Sequence, residues 1–222
     1  MSSAAAVIVA AGRGVRAGGD VPKQWQDLQG KPVLAHTLAA FQSHPDIAQI
    51  VLVLHRDDAG RADPYLDPQT VAVTGGKDRA ASVKNGLAAI VGATEVLIHD
   101  VARPLITHTL ISRVIDALGQ HTAGAAPALA VTDALWTGSN GLVTGTMERA
   151  GLYRAQTPQG FDLASIVAAH AAHPGGAADD VEVARAYGLD VSIVPGDENN
   201  LKITHAEDFA RAEHILRGRD GH

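Results

Sequence analysis

Ala5-Ala6-Val7-Ile8-Val9-Ala10-Ala11-Gly12-Arg13-Gly14-Val15-Arg16-Ala17-Gly18-Gly19-Asp20-Val21-Pro22-Lys23-Gln24 is the stretch that decides the fold. It opens as a short apolar run and passes straight into glycines. A buried strand leading into a glycine loop has that form. Gly12-Arg13-Gly14, with Ala17 in the third small position, partly matches a dinucleotide-binding pattern. That pattern needs a helix to open inside the glycines, and Gly18, Gly19 and Pro22 would break one. It also needs an acidic residue ending the second strand, where this chain has Leu54-His55-Arg56. The Gly-Lys-Ser/Thr ending of a P-loop is missing too. What remains is a long loop with exposed backbone N–H groups and two cations, Arg16 and Lys23. Backbone N–H groups in a glycine turn form a concavity for anions, and the cations add full charges. The segment suits a polyphosphate; the plainer reading is an ordinary β–α loop with solvated charges.

Working outward, strand and helix signals alternate. Ala5–Val9, Ile50–Leu54, Thr70–Val73 and Glu95–His99 read as strands buried on both faces. Between and after them, Pro32–Ser43, Arg79–Val91 and Thr107–Leu118 carry apolar residues at helical spacing, with Thr107 as N-cap and Gly119 as stop. The expectation is an α/β chain: a Rossmann-like, mostly parallel sheet with helices on both faces. Ligands of such sheets bind beyond the carboxyl ends of the strands. After Ala130 the pattern breaks, and residues 131–155 read as hairpin ribbon. An isolated ribbon is marginally stable in water, so it is a candidate dimer arm; the alternative is a surface hairpin. Helices at Leu163–Ala172 and Asp179–Tyr187, a strand at Val191–Val194 and a helix over Ala206–Leu216 follow. No repeat or linker shows, so residues 1–222 read as a single domain with 131–155 as its arm.

Composition narrows the function. The chain has 222 residues, no cysteine, 46% apolar and 4% aromatic residues, and 18 basic against 24 acidic side chains, a net charge of −6. Disulfides, thiolate metal sites and a cysteine nucleophile are excluded. The charge argues against a non-specific nucleic-acid binder. No run approaches the about 18 apolar residues of a membrane span. The first residues lack the basic segment of a secretory leader. Together these set the expectation of a cytoplasmic protein with no nucleic-acid or membrane partner.

Further polar groups gather at predicted strand ends. Gly75-Gly76-Lys77-Asp78-Arg79-Ala80-Ala81-Ser82 offers backbone groups and a hydroxyl for a base edge, or else is a plain capped helix start. His99-Asp100-Val101-Ala102-Arg103-Pro104 places an acid and a base three apart, fitting a metal carboxylate and a phosphate ligand, or else a surface ion pair. Glu148 to Phe161 is dense in polar groups, and Glu198-Asn199-Asn200-Leu201-Lys202-Ile203-Thr204 brings one cation after a strand. The 11 His residues show no metal spacing; His170 and His173 read as helix-surface residues, and Asp179-Asp180 as a helix cap.

Taken in order, these motifs resemble those of the 2-C-methyl-D-erythritol 4-phosphate cytidylyltransferase family, from Ala6 to about Leu216. They are Ala10-Ala11-Gly12-x-Gly14-x-Arg16 with Pro22-Lys23-Gln24, then Gly75-Gly76-x-x-Arg79-x-x-Ser82-Val83 and His99-Asp100-x-Ala102-Arg103-Pro104. Glu148-Arg149, Gln156-Thr157-Pro158-Gln159 and Lys202-Ile203-Thr204 complete them. The resemblance implies attack of the methylerythritol phosphate on the α-phosphorus of CTP, with pyrophosphate leaving. A phosphate monoester, with a second pKa of about 6, is largely ionised at neutral pH and needs no general base. Alignment and charge neutralisation then carry the reaction. By resemblance, the catalytic residues are Arg16, Lys23, Asp100 and Lys202. Ala10, Ala11, Gly12, Gly14, Gly76, Lys77 and Ser82 would hold CTP. Arg103, Arg149 and Thr157 would bind the methylerythritol phosphate, with Lys202 beside them. Asp100 would bind Mg2+. The family's arm swaps across a homodimer, so Arg149 would serve the neighbouring subunit. The chain departs twice from the pattern. Asp133-Ala134-Leu135-Trp136 stands where the family has Asp-Thr-aliphatic-Lys, and Asn199 stands where an acid is usual. The alternatives are a cytidylyltransferase for another polyol phosphate, such as ribitol 5-phosphate, or a nucleotide-binding dimer without transfer.

Overall fold

The computed structural model describes residues 4–13, 21–118 and 122–220. Gly14, Arg16, Ala17 and the expected stop at Gly119 lie outside them. In chain order the elements are β1 (Ala4–Ala10), β2 (Asp27–Leu28), β3 (Lys31–Pro32), α1 (Val33–Gln42), β4 (Ile47–Leu54), β5 (Thr70–Thr74), α2 (Arg79–Leu87), β6 (Glu95–Asp100) and α3 (His108–Ala117). Then follow β7 (Gly124–Ala130), β8 (Leu135–Ser139), β9 (Leu142–Met147), β10 (Tyr153–Ala155), β11 (Gln159–Asp162), α4 (Leu163–Ala172), α5 (Asp180–Ala186), β12 (Val191–Pro195) and α6 (Glu207–Asp220). Among the described residues no helix is long and apolar enough to cross a membrane.

The main sheet runs β10-β7-β11-β6-β1-β4-β5, with β12 added on β7. β1 pairs in parallel with both β4 and β6, and β4 with β5. The first half of the chain thus builds outward on one side of β1, then crosses to β6 on the other. That reversal opens a crevice at the carboxyl ends of β1 and β6, where Val9 lies beside Asp100. Period two divides the core. Ala6, Ile8, Ile50, Leu52 and Leu97 face one layer, with Leu34, Leu38 and Phe41 of α1 and Leu110, Ile111 and Val114 of α3. Val7, Val51, Val53, Val96 and Ile98 face the other, against Val83 and Leu87 of α2, Ile166 of α4 and Val183 of α5. Burial on both faces is why these strands read as continuous apolar runs.

Thr107 caps α3, its hydroxyl accepting from Leu110 N at 3.3 Å. Three expectations need correction. Helix α2 stops at Leu87, not Val91, because the Gln49 side chain takes Val91 N at 2.8 Å and donates to Ala89 O at 3.2 Å. Asp179 caps α5, but Asp180 is wholly buried and its carboxylate faces inward. His170 is buried as well, not on the surface. Four strands were not expected: the two-residue β2 and β3, β7, which brings Pro127 into the sheet, and the short antiparallel β11; β10, inside the expected ribbon, pairs with β7 in the main sheet instead. The ribbon is present as the hairpin β8–β9, a sheet of its own. Asn140 and Gly141 turn it with φ of 51° and 78°, the positive pair a two-residue hairpin favours. Trp136 and Leu142 on it are about two-thirds exposed, at 68% and 71%.

Between α1 and α3, His44 is buried with both ring nitrogens engaged. Asp46 N donates to Nδ1 at 3.2 Å, so Nε2 carries the proton and meets Ser112 Oγ at 3.0 Å. Burial, and then His108, push its pKa below the ordinary His value. The folded state therefore resists a proton that the unfolded chain accepts below about pH 6.5, and stability falls as pH drops through that value. The urea midpoint should be lower at pH 5.5 than at pH 7.5, and His44→Gln should shrink the difference. An unchanged difference in the variant would contradict this.

Candidate active site

Loops from the carboxyl ends of β1, β4, β5 and β6 enclose a cleft of about 710 Å³. Among the described residues, six Lys or Arg side chains line it (Arg13, Lys23, Arg56, Lys77, Arg79 and Lys202) against two acids, Asp78 and Asp100. The acidic chain thus concentrates positive charge where its strands end, which draws polyanions to that place.

The glycine loop leads in from β1 through Ala10, Ala11 and Gly12, all in the cleft wall. Past the undescribed segment, Lys23-Gln24-Trp25 forms one 3-10 turn, closed by Trp25 N to Pro22 O at 2.8 Å. Buried Gln24 anchors the turn, donating to Ala10 O at 3.0 Å and to Asp58 Oδ2 at 3.3 Å. Lys23 Nζ donates to Ile203 O at 3.0 Å and lies in the cleft wall.

Opposite, Gly75-Gly76 passes under α2. A Cβ on Gly76 would lie 2.3 Å from that of Ala81, so only glycine fits. Ser82 Oγ accepts from Gly76 N at 3.0 Å and donates to Asp78 O at 2.8 Å. Asp78 caps α2 through Ala81 N. The capped helix start and the cleft wall are thus one structure. Ser82 shapes the loop, and Lys77 stands at its rim.

At the end of β6, Asp100 sits between two cations. Oδ2 accepts from Lys202 Nζ at 2.6 Å, and Oδ1 faces Arg79 Nε at 3.4 Å. Burial alone would raise its carboxyl pKa, but Arg79 and Lys202 outweigh burial and hold it well below the usual carboxylate range. Lys202 is carried there by a laced segment. Ile203 N bonds Ala102 O at 2.8 Å, Gln156 exchanges two bonds with the Asp197 backbone, and Asn200 Nδ2 donates to Thr157 O at 2.9 Å.

Thr157 and Arg103 stand behind this wall rather than in the cleft. Both are buried. Arg103 donates to Asn200 O at 2.6 Å and Ala155 O at 3.3 Å. Thr157 Oγ1 accepts from Asp100 N at 3.1 Å and meets His99 Nδ1 at 3.1 Å. His99 Nε2 meets the Arg103 carbonyl at 3.2 Å, so that nitrogen carries the proton and Thr157 donates to Nδ1. Burial pushes the His99 pKa down to about 3, which keeps the ring neutral. Arg149 is apart from the cleft, in the connection after β9, donating to Thr132 O.

Arg13, His55 and Arg56 line the cleft without having been singled out from sequence. His55 and Arg56 directly follow β4, so the strand-end rule that flagged Asp100 also covers them. Arg13 pairs loosely with Asp57 and Asp58 at 3.5 and 3.7 Å.

Among the described residues, no three His, Cys, Asp or Glu side chains are grouped to hold a metal. Asn199 adds no carboxylate; its N–H bonds Asp197 Oδ1. One ionised carboxylate in a polyanion cleft still fits Mg2+, which takes one or two carboxylates and completes its shell with phosphates and water.

The sheet is doubly wound, and the basic, glycine-walled cleft that holds Asp100 lies at its switch point. The family model IspD, 2-C-methyl-D-erythritol 4-phosphate cytidylyltransferase, matches residues 4–218. The chain belongs to this family. It is 60% identical over 218 residues to the 2-C-methyl-D-erythritol 4-phosphate cytidylyltransferase of Roseobacter denitrificans, covering 98% of each chain. It is 63% identical over 215 residues to the bifunctional enzyme IspD/IspF of Ruegeria pomeroyi, covering 96% of this chain and 56% of that protein. The chain therefore spans just over half the length of such bifunctional relatives. Among solved structures, a 4-diphosphocytidyl-2C-methyl-D-erythritol synthase superposes with a TM-score of 0.85 at 30% identity, over 97% of this chain and 99% of the other. The Thermus thermophilus 2-C-methyl-D-erythritol 4-phosphate cytidylyltransferase superposes at 0.78 and 32% identity, over 95% and 98%.

Proposed function

We propose that this chain transfers CMP from CTP to 2-C-methyl-D-erythritol 4-phosphate. An acceptor phosphate oxygen bonds to the α-phosphorus. The bond from that phosphorus to the bridging oxygen of the leaving pyrophosphate breaks. The observation that carries this reading is the cleft itself: among the described residues, six cations against two acids, with Asp100 held ionised between Arg79 and Lys202, on the framework of a cytidylyltransferase family member.

Lys23, held by Ile203 O at the cleft wall, is placed to neutralise the phosphates of CTP. Arg16 is assigned beside it by family resemblance. Ala10, Ala11, Gly12 and Gly76 let the backbone come close to the nucleotide, with Lys77 at the rim and Ser82 fixing the loop. Gly14 belongs to the same loop by resemblance. Asp100 would hold Mg2+, which would supply positive charge to neutralise the phosphates. Lys202 orients Asp100 and adds a charge on the acceptor side. Thr157 and Arg103 support that side from behind, fixing Asp100 N and residues 155 and 200. No proton needs to be removed from an ionised phosphate, and the buried imidazole of His99, behind the cleft wall, is kept neutral by burial.

We assign residues 131–155 as a dimer arm on a single domain, with Arg149 serving the partner subunit's site. The exposed Trp136 and Leu142 support this, because an isolated ribbon that wet is marginal. Sedimentation at micromolar concentration should show a dimer; monomer alone would contradict the arm. We propose that the reaction takes place in the cytoplasm.

The acceptor is tested by pyrophosphate release from CTP and Mg2+ with either polyol phosphate. Release is expected with methylerythritol phosphate and not with ribitol 5-phosphate. The reverse would move the chain to another acceptor, and CTP binding without release would make it a binding module.

A further inference from the structure

Asp180 begins α5, but its carboxylate points away from solvent. Gln159 Oε1 accepts from Asp180 N and Val181 N at 3.0 Å each, so that helix end is satisfied without the Asp180 side chain. The side chain is wholly buried. Its Oδ1 accepts from His170 Nε2 at 3.1 Å, and its Oδ2 accepts from Arg79 Nη2 at 2.7 Å. A carboxylate can only accept, so His170 carries its proton on Nε2. Arg79 then reaches Asp100 Oδ1 at 3.4 Å, and Lys202 closes the row on Oδ2 at 2.6 Å. The groups form one line of hydrogen bonds and ion pairs, from His170 on α4 to the cleft.

The distances are unequal in an informative way. Arg79 has two carboxylates and makes its close hydrogen bond to the one remote from the cleft. A half-buried guanidinium needs a counter-charge near it. With Asp180 in place, Arg79 has that counter-charge and leaves Asp100 Oδ1 only loosely engaged. Among the described residues, Asp100 is the other carboxylate that Arg79 pairs with; without Asp180, both Asp100 oxygens would be taken by protein cations.

We propose that Asp180, oriented by His170, is a positioning residue that holds Arg79 back from Asp100 and so keeps Asp100 Oδ1 open to a divalent cation. This rests on the reading of Asp100 as the cation's carboxylate. Residues one layer behind a metal ligand commonly change metal affinity about tenfold or more.

The test is Mn2+ binding to the full chain with CTP and no acceptor, read from the electron paramagnetic resonance signal of free Mn2+. Asp180→Asn should weaken Mn2+ binding about tenfold, while CTP binding in the presence of a chelator changes little. The double variant Asp180→Asn/Arg79→Gln should regain Mn2+ affinity, because no guanidinium is left to close on Asp100. General damage to the fold would not be reversed in that way. Unchanged affinity in Asp180→Asn, or no recovery in the double variant, overturns the proposal. Should Asp180→Asn fail to fold, His170→Gln replaces it: weaker binding supports the proposal and unchanged binding overturns it. Asp100→Asn separates the two claims. If it binds Mn2+ as tightly as the unaltered chain, the underlying reading fails and takes the proposal with it. If it binds weakly while Asp180→Asn binds normally, only the role of Asp180 fails.

Discussion

Lys23→Ala should lower turnover at least ~10²-fold, the usual scale for one preorganised charge aimed at a developing transition state. The structure explains why the position matters beyond its charge. The 3-10 turn, the buried Gln24 anchor and the bond to Ile203 O hold the ammonium at the cleft wall before any ligand arrives. A solvated lysine on an ordinary loop would have none of these supports. Lys23→Arg keeps the charge but not its compact placement, and should recover only part of the activity. Steady-state kinetics decide the point. The loss should fall mainly on kcat, since charge grows on the phosphates as the bond breaks; near-normal turnover in Lys23→Ala would remove the role assigned here.

Asp100→Asn should cost as much or more, ~10²- to 10³-fold in turnover, for an electrostatic reason of its own. The carboxylate is the shared partner of Lys202 and Arg79. Asparagine has nearly the same shape but leaves both cations without that charge and supplies a poor ligand for a hard cation. The deficit should be greatest at low Mg2+ and narrow as Mg2+ rises. Kinetics over a Mg2+ series check this. A deficit that ignores Mg2+ would mean that Asp100 serves only as the partner of Lys202 and Arg79.

Much of this site is legible in the chain, because the rules that expose it are local. Strands buried on both faces are continuous apolar runs, and polar residues just past them must face the crevice. Asp100, Lys77 and Lys202 follow from that, and so does Arg56. The hairpin within 131–155, which spans only Leu135 to Met147, is equally local, its turn lying at Asn140-Gly141. Less is legible where tertiary partners decide. β10 and β11 are three and four residues long and lie among polar residues, so only the neighbouring β7 and β6 make them strands. His170 and Asp180 carry the marks of a helix surface and a helix cap. Their polar partners are each other and Arg79, which is 101 residues from Asp180 in sequence. Thr157 and Arg103 are at their motif positions, yet their hydrogen bonds run into the protein. Motif spacing carries no information on which way a side chain turns.

The central claim is that the cleft joins an acceptor phosphate oxygen to the α-phosphorus of CTP. It is tested most directly with methylerythritol phosphate carrying 18O in its phosphate, incubated with CTP, Mg2+ and the protein and followed by 31P NMR. The expected products are an unsymmetrical nucleotide diphosphate that retains all the label, and pyrophosphate that carries none. Intact CTP, or label appearing in pyrophosphate, would contradict it.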